Sequence, residues 1–180
     1  MCSSDLFLLS GVLVVIGLWI RLAVAESPVF LEAQRKAEQR SEHVPVVEVF
    51  RAHWREVVIT IGARMAENVS YYVLTAFILV YVTGPLELPK SVGLNAVLIG
   101  SVLHFVAIPL WGALSDRVGR KPVYLFGAVA TAVWGFAFFA LLDSRSPLVI
   151  TVATTIGLLL HGAMYGPQAA FFAEQFTTRV

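Results

Sequence analysis

Cysteine is almost missing from this chain of 180 residues: only Cys2 is present. It closes no intrachain disulfide, and it leaves no thiolate cluster for a metal. A structural zinc site needs about four ligands, and His43, His53, His104 and His161 lack the close spacing such ligands show. No metal and no cofactor is therefore expected. Charge is scarce as well, with 14% Asp, Glu, Lys and Arg and a formal net charge of +1. Phosphate binding needs a clustered cationic surface, so nucleic acid is not an expected partner. The chain has no Gly-x-Ser-x-Gly nucleophile turn, no His-Glu-x-x-His metal pair and no paired aspartates deep in an apolar run. Those absences argue against an enzyme. Ten-residue stretches of alternating polarity are also lacking, which excludes a membrane barrel.

What fills the chain instead is apolar sequence: 58% of its residues are hydrophobic, above the 45–50% or so usual in soluble domains, and the mean hydropathy is +0.78. Five long runs stand out, at about 6–25, 57–83, 93–114, 123–142 and 148–173. Each is close to or above the ~20 helical residues that cross a bilayer. An open sheet would leave backbone donors and acceptors unpaired in lipid, so all five are expected to be helices. The fold class is thus all-α, a polytopic transmembrane bundle with the lipid bilayer as its solvent. The first run is read as a spanning helix, not a signal peptide. No Lys or Arg precedes it within Met1 to Asp5, and it exceeds the usual short apolar core.

Lys and Arg placement sets the orientation. Ten of the thirteen, among them Arg21, Arg55, Arg117, Arg120 and Lys121, fall on one side of the predicted spans. Lys90 and Arg145 fall on the other, and Arg64 lies inside a span. The positive-inside rule makes the cation-rich side cytoplasmic.

Between the third and fourth runs stands Gly112-Ala-Leu-Ser-Asp-Arg-Val-Gly-Arg-Lys-Pro122. Gly112 and Gly119 suit a tight, close-packed turn, and Asp116, Arg117, Arg120 and Lys121 suit a compact salt-bridge cluster that latches two helix ends. This stretch resembles the signature loop of the major facilitator superfamily, a Gly-x-x-x-Asp-Arg-x-Gly-Arg-Lys pattern joining the second and third helices of a six-helix half, with a second copy between the eighth and ninth. The resemblance frames the whole chain. Residues 1–25 would be the sixth helix, 26–56 the cytoplasmic central loop, and 57–180 part of the C-terminal half, helices seven to ten. Met1 to Asp5 do not read as a natural start, and the chain stops directly after Thr177, Thr178 and Arg179. A fragment is expected, whose partners include helices one to five, eleven and twelve of the same parent. In the central loop, Ser27 before Pro28 and Glu32 four residues before Lys36 predict a short surface helix.

Polar groups inside the spans are the candidate site. Arg64, Glu67, Asn68 and Tyr71 recur at steps of three and four and share one helix face. An ionised side chain in lipid costs ~2.5–3.5 kcal/mol on insertion scales, so this face must meet water or protein. His161, Tyr165 and Gln168 form a similar face in the last span, where Gly162 and Gly166 permit close helix approach and Pro167 frees a backbone carbonyl. His104, Trp111 and Trp134 read as packing groups, and Glu174 as an interfacial charge.

Three further segments resemble the metabolite:proton symporter branch of the superfamily: Arg21 with Glu26-Ser27-Pro28-Val29-Phe30, the seventh helix with Tyr71-Tyr72 and Tyr81, and Tyr165-Gly166-Pro167-Gln168-Ala169-Ala170 followed by Phe172 and Glu174. That resemblance implies alternating access with a small-molecule substrate and a proton as partners, in a bacterial inner membrane by kinship of the branch. Arg64 would pair with an anionic substrate or Glu67. Glu67 or His161 would carry the proton, and Asn68, Tyr71, Tyr165 and Gln168 would orient an organic acid or betaine-like solute. Asp116 would brace one conformation. Sugar or drug facilitators of the same superfamily share the signature loop, and a five-span accessory protein is the reading that chain length alone suggests.

Overall fold

The computed structural model describes residues 11–12, 14–19 and 53–177. The chain divides into two compact units, Met1–Val49 and Phe50–Val180. In the first, residues 11–12 and 14–19 are helical, within the first predicted span. The expected surface helix after Pro28 lies outside the described residues.

The second unit holds four helices long and apolar enough to cross a membrane. They are α1 (Trp54–Thr83), α2 (Lys90–Val118), α3 (Arg120–Leu142) and α4 (Pro147–Thr177). Their lengths of 30, 29, 23 and 31 residues exceed the ~20 that a bilayer requires. Hydropathy alone places the ends short. Lys90, Arg117 and Arg120 are charged yet helical, because long cationic side chains at a helix end reach back to the interface. Short connections make neighbours antiparallel. α1 ends at Gly84, whose N–H returns to Val80 O at 2.9 Å, and Pro89 precedes the first residue of α2. A single residue, Gly119, separates α2 from α3 with φ 106° and ψ 144°.

α1 is not uniform: Val73–Phe77 is one π-helical turn. Such widened turns are commonly found at functional sites. Two hydroxyl groups turn back on the helix here, Ser70 Oγ before the turn donating to Ala66 O and Thr75 Oγ1 within it to Tyr71 O, each at 2.7 Å.

α4 sits centrally and packs against the other three helices. Its glycines let backbones approach, as small residues do in membrane interfaces. A Cβ on Gly166 would lie 2.7 Å from Ile108 O and 3.0 Å from Gly112 N, both backbone atoms of α2. On the α3 side, a Cβ on Gly127 would lie 2.8 Å from Met164 N. Two apolar clusters result. Leu74, Ile78, Phe138, Leu142, Ile150 and Leu158 pack toward the Lys90 and Arg145 end, and Tyr124, Met164 and Phe171 toward the other. Many outer side chains, including Phe105, Phe136 and Leu148, are exposed, as suits an element whose outer solvent is lipid.

Candidate functional site

Between the two apolar clusters lies a polar layer made by α1, α2 and α4. Glu67, His104 and His161 each fall near the middle of their helix, and each is buried, as is Gln168. Glu67 is the hub. Its Oε2 accepts from Arg64 Nη1 at 2.9 Å and from Gln168 Nε2 at 3.2 Å, while Oε1 lies 3.3 Å from His161 Nε2. Arg64 Nη1 also donates to Gln168 Oε1, so the carboxylate, guanidinium and amide close a ring. A buried carboxylate is tolerable only with such pairing and bonding, since an unpaired ion in low dielectric is far more costly.

Helical spacing explains why Arg64 and Glu67 meet: three residues apart, they share a face of α1. Glu67 is 3% exposed, but the Arg64 side chain is 50% exposed. The cation thus holds the buried anion with one end and presents its remaining surface outward. A cavity of about 300 Å³ opens there, lined by Arg64, Glu67, Asn68, Tyr71, His104 and Tyr165 among others. The rings of Tyr71 and His161 are 5.4 Å apart, and Tyr165 lies 6.3 Å from His161 and 6.4 Å from His104. Asn68 Nδ2 donates back to Arg64 O at 3.1 Å. The arrangement offers one cation, aromatic walls and a buried carboxylate at a cavity wall.

All seven residues expected at the membrane site are therefore brought to one layer. His104, taken above as packing, belongs there too: its Nε2 is 3.3 Å from His161 Nδ1, and it lines the cavity. Its signal was available in the sequence, because an ionisable residue in the middle of an apolar run is a functional candidate by default. What sequence could not supply was the helix face it occupies. α4 runs on unbroken through Pro167.

The signature segment makes its tight turn at one of its two glycines. Gly112 lies well inside α2, where it serves close approach to Gly166, and the chain turns at Gly119 alone. Asp116 and Arg120 do pair, at 2.8 Å, but the third member is Glu174 of α4, 2.7 Å from Arg120 Nε. Arg117 and Lys121 are exposed at the same end, and the ion pairs described here run through Arg120. The latch therefore ties the α2–α3 turn to the end of α4. At the opposite end Tyr81 Oη donates to Asp143 at 2.8 Å, joining α1 to the α3–α4 turn.

The Major Facilitator Superfamily sequence model matches residues 6–180. A shikimate transporter of Escherichia coli K12 is 31% identical over 94% of the chain and 39% of its own length. An inner membrane metabolite transport protein of the same strain is 31% identical over 97% of the chain and 40% of its own length. A proline/betaine transporter of Escherichia coli K12 is 28% identical over 92% of the chain and 35% of its own length. The chain thus spans about two fifths of the length of the curated relatives it matches. No solved structure matches significantly.

Proposed function

This chain belongs to the major facilitator superfamily, and from that membership we propose that it supplies part of a secondary transporter for a small carboxylate-bearing metabolite, driven by proton symport. The observation that carries the reading is the buried Glu67, joined to Arg64, Gln168 and His161 at the edge of a cavity of about 300 Å³. That volume suits a solute of small-metabolite size, at the lower end of ligand pockets. Relatives named for shikimate and for proline and betaine transport point the same way, since those solutes carry a carboxylate.

The chemistry is an exchange of partners at Arg64. While Glu67 is ionised, it holds Arg64 Nη1. Protonation removes that charge, weakens the pair, and leaves the guanidinium to a substrate carboxylate, which it can clasp in the bidentate manner that favours arginine. Tyr71 and Tyr165 supply rings for the apolar or cationic remainder of the solute. Proton and substrate occupancy are thereby linked through one residue. Rocking of helical halves around a midplane site would then expose the loaded site to each side in turn. The cation-rich end, with Arg117, Arg120 and Lys121, is assigned to the cytoplasm of a plasma membrane.

The test uses the protein as its gene encodes it, reconstituted in vesicles and offered radiolabelled shikimate, proline and glycine betaine under an imposed inward pH gradient. Gradient-dependent accumulation of at least one solute is expected, and Glu67→Gln should abolish accumulation while sparing substrate counterflow. Undiminished accumulation by the variant would sink the coupling role of Glu67. Uptake of a sugar or drug that ignores the pH gradient would instead favour a facilitator.

A further inference from the structure

Glu67 is 3% exposed, and although it lines the cavity, its Oε2 is held by Arg64 and Gln168 and its Oε1 faces His161. Resting on the coupling role assigned to Glu67 above, we propose that His104 and His161 form a two-imidazole relay carrying protons between the cavity and Glu67, with His104 as its cavity-side terminus.

The hydrogen-bond inventory orients the relay. His161 Nε2 lies 3.3 Å from the Glu67 main-chain oxygen as well as 3.3 Å from Oε1. A carbonyl oxygen can only accept, so Nε2 carries the hydrogen. In the neutral ring Nδ1 is then an acceptor, and the atom facing it at 3.3 Å is His104 Nε2, which must be the donor. The direction is uniform from His104 to His161 to Glu67. His161 is fully buried and His104 is 8% exposed, but His104 also lines the cavity. Both ends of the series, His104 and Glu67, line the cavity, while His161 between them does not.

The step balances without electrons. A proton adds to His104 Nδ1, the ring nitrogen left over. The Nε2–H bond of His104 breaks as a bond to His161 Nδ1 forms, and the Nε2–H of His161 breaks as an O–H forms on Glu67 Oε1. One positive charge leaves the cavity and one carboxylate is neutralised. Passage in the reverse direction restores both tautomers.

The surroundings suit transient charge. α1 contributes Arg64, Glu67 and Tyr71, and α4 contributes Tyr165 and Gln168. On the α3 side Tyr124 meets Gln168 and stands near Glu67, while its hydroxyl donates to Ala63 O at 2.7 Å. Two imidazoles this close cannot comfortably be cationic together, so the pair carries one extra proton at a time. The position of His104 is held by packing: a Cβ on Gly162 would lie 3.3 Å from His104 Cδ2, so this glycine leaves room for the ring against α4.

Time-resolved infrared difference spectroscopy after photorelease of protons tests the relay without any transport substrate, on the protein as its gene encodes it. The Glu67 carboxyl band is identified by its loss in Glu67→Gln. His104→Gln keeps an amide donor near Nε2 but cannot pass a proton, and should slow the rise of the band about tenfold or more while leaving its final amplitude unchanged. His104→Asn repeats the measurement should the glutamine variant misfold. An unslowed band overturns the relay and leaves Glu67 as the coupling group. A band lost in amplitude shows that His104 sets the carboxyl equilibrium, which also overturns the relay. If no carboxyl band depends on Glu67, the coupling reading fails and the relay fails with it.

Discussion

At the scale of single residues, burial separates what is fixed from what is free. Glu67 is enclosed and multiply bonded, whereas the Arg64 side chain that holds it is half exposed. Under the proposed coupling, exchange of partners belongs to the arginine and proton uptake to the glutamate. Gly166 shows how narrow the tolerance is nearby. An alanine there would place its Cβ 2.7 Å from Ile108 O, a main-chain atom that no rotamer change can move. Gly166→Ala should lower stability by about 1–3 kcal/mol, the usual range for overpacking. Thermal unfolding in detergent, compared with the same change at Gly62, where nothing lies within 4 Å, checks this. Spacings of three and four made Arg64, Glu67, Asn68 and Tyr71 legible as one face. His104 was not legible as their neighbour, since it comes from another helix and only the α2–α4 contact turns it toward His161.

At the scale of elements, turns and end contacts decide how the helices are held. Gly119 joins α2 to α3 with φ 106°, a conformation that L side chains rarely adopt. Pro122 Cδ would lie 3.4 Å from an added Cβ, so space is adequate and backbone strain is the obstacle. Gly119→Ala should cost about 1–3 kcal/mol, read as a fall in thermal midpoint with little change in helix content. Arg120 binds Asp116 and Glu174 together. Arg120→Gln and Glu174→Gln should therefore act non-additively, the double variant losing less thermal stability than the two single losses combined. Strict additivity would show that the contact carries no energy. The signature pattern announced a charged helix junction in advance. It did not reveal that Gly112 packs inside α2, or that the latch closes on α4, because both depend on the approach of two distant segments.

For the whole molecule, the arrangement of charge predicts sidedness. Lys90 and Arg145 flank turns at the end where Tyr81 meets Asp143, and Arg117 and Lys121 lie at the end where Arg120 meets Glu174. With Cys2 replaced by serine, cysteines at 90 and 145 should react with an impermeant thiol reagent added outside intact cells, and one at 117 only after permeabilisation. Labelling at 117 from outside would invert the proposed orientation. The sequence by itself determined the membrane setting, the helical class, the number of long apolar helices in the second unit and the family, because these depend on local composition, period and spacing. Tertiary structure decided the rest. Which helix lies centrally, which glycines are contacts, and which ionisable groups meet across α1, α2 and α4 are consequences of packing between residues far apart in sequence, 104 positions for Arg64 and Gln168. Hydropathy marks a helix as buried in lipid, but the direction in which its few polar groups point is fixed only by the neighbours that must satisfy them.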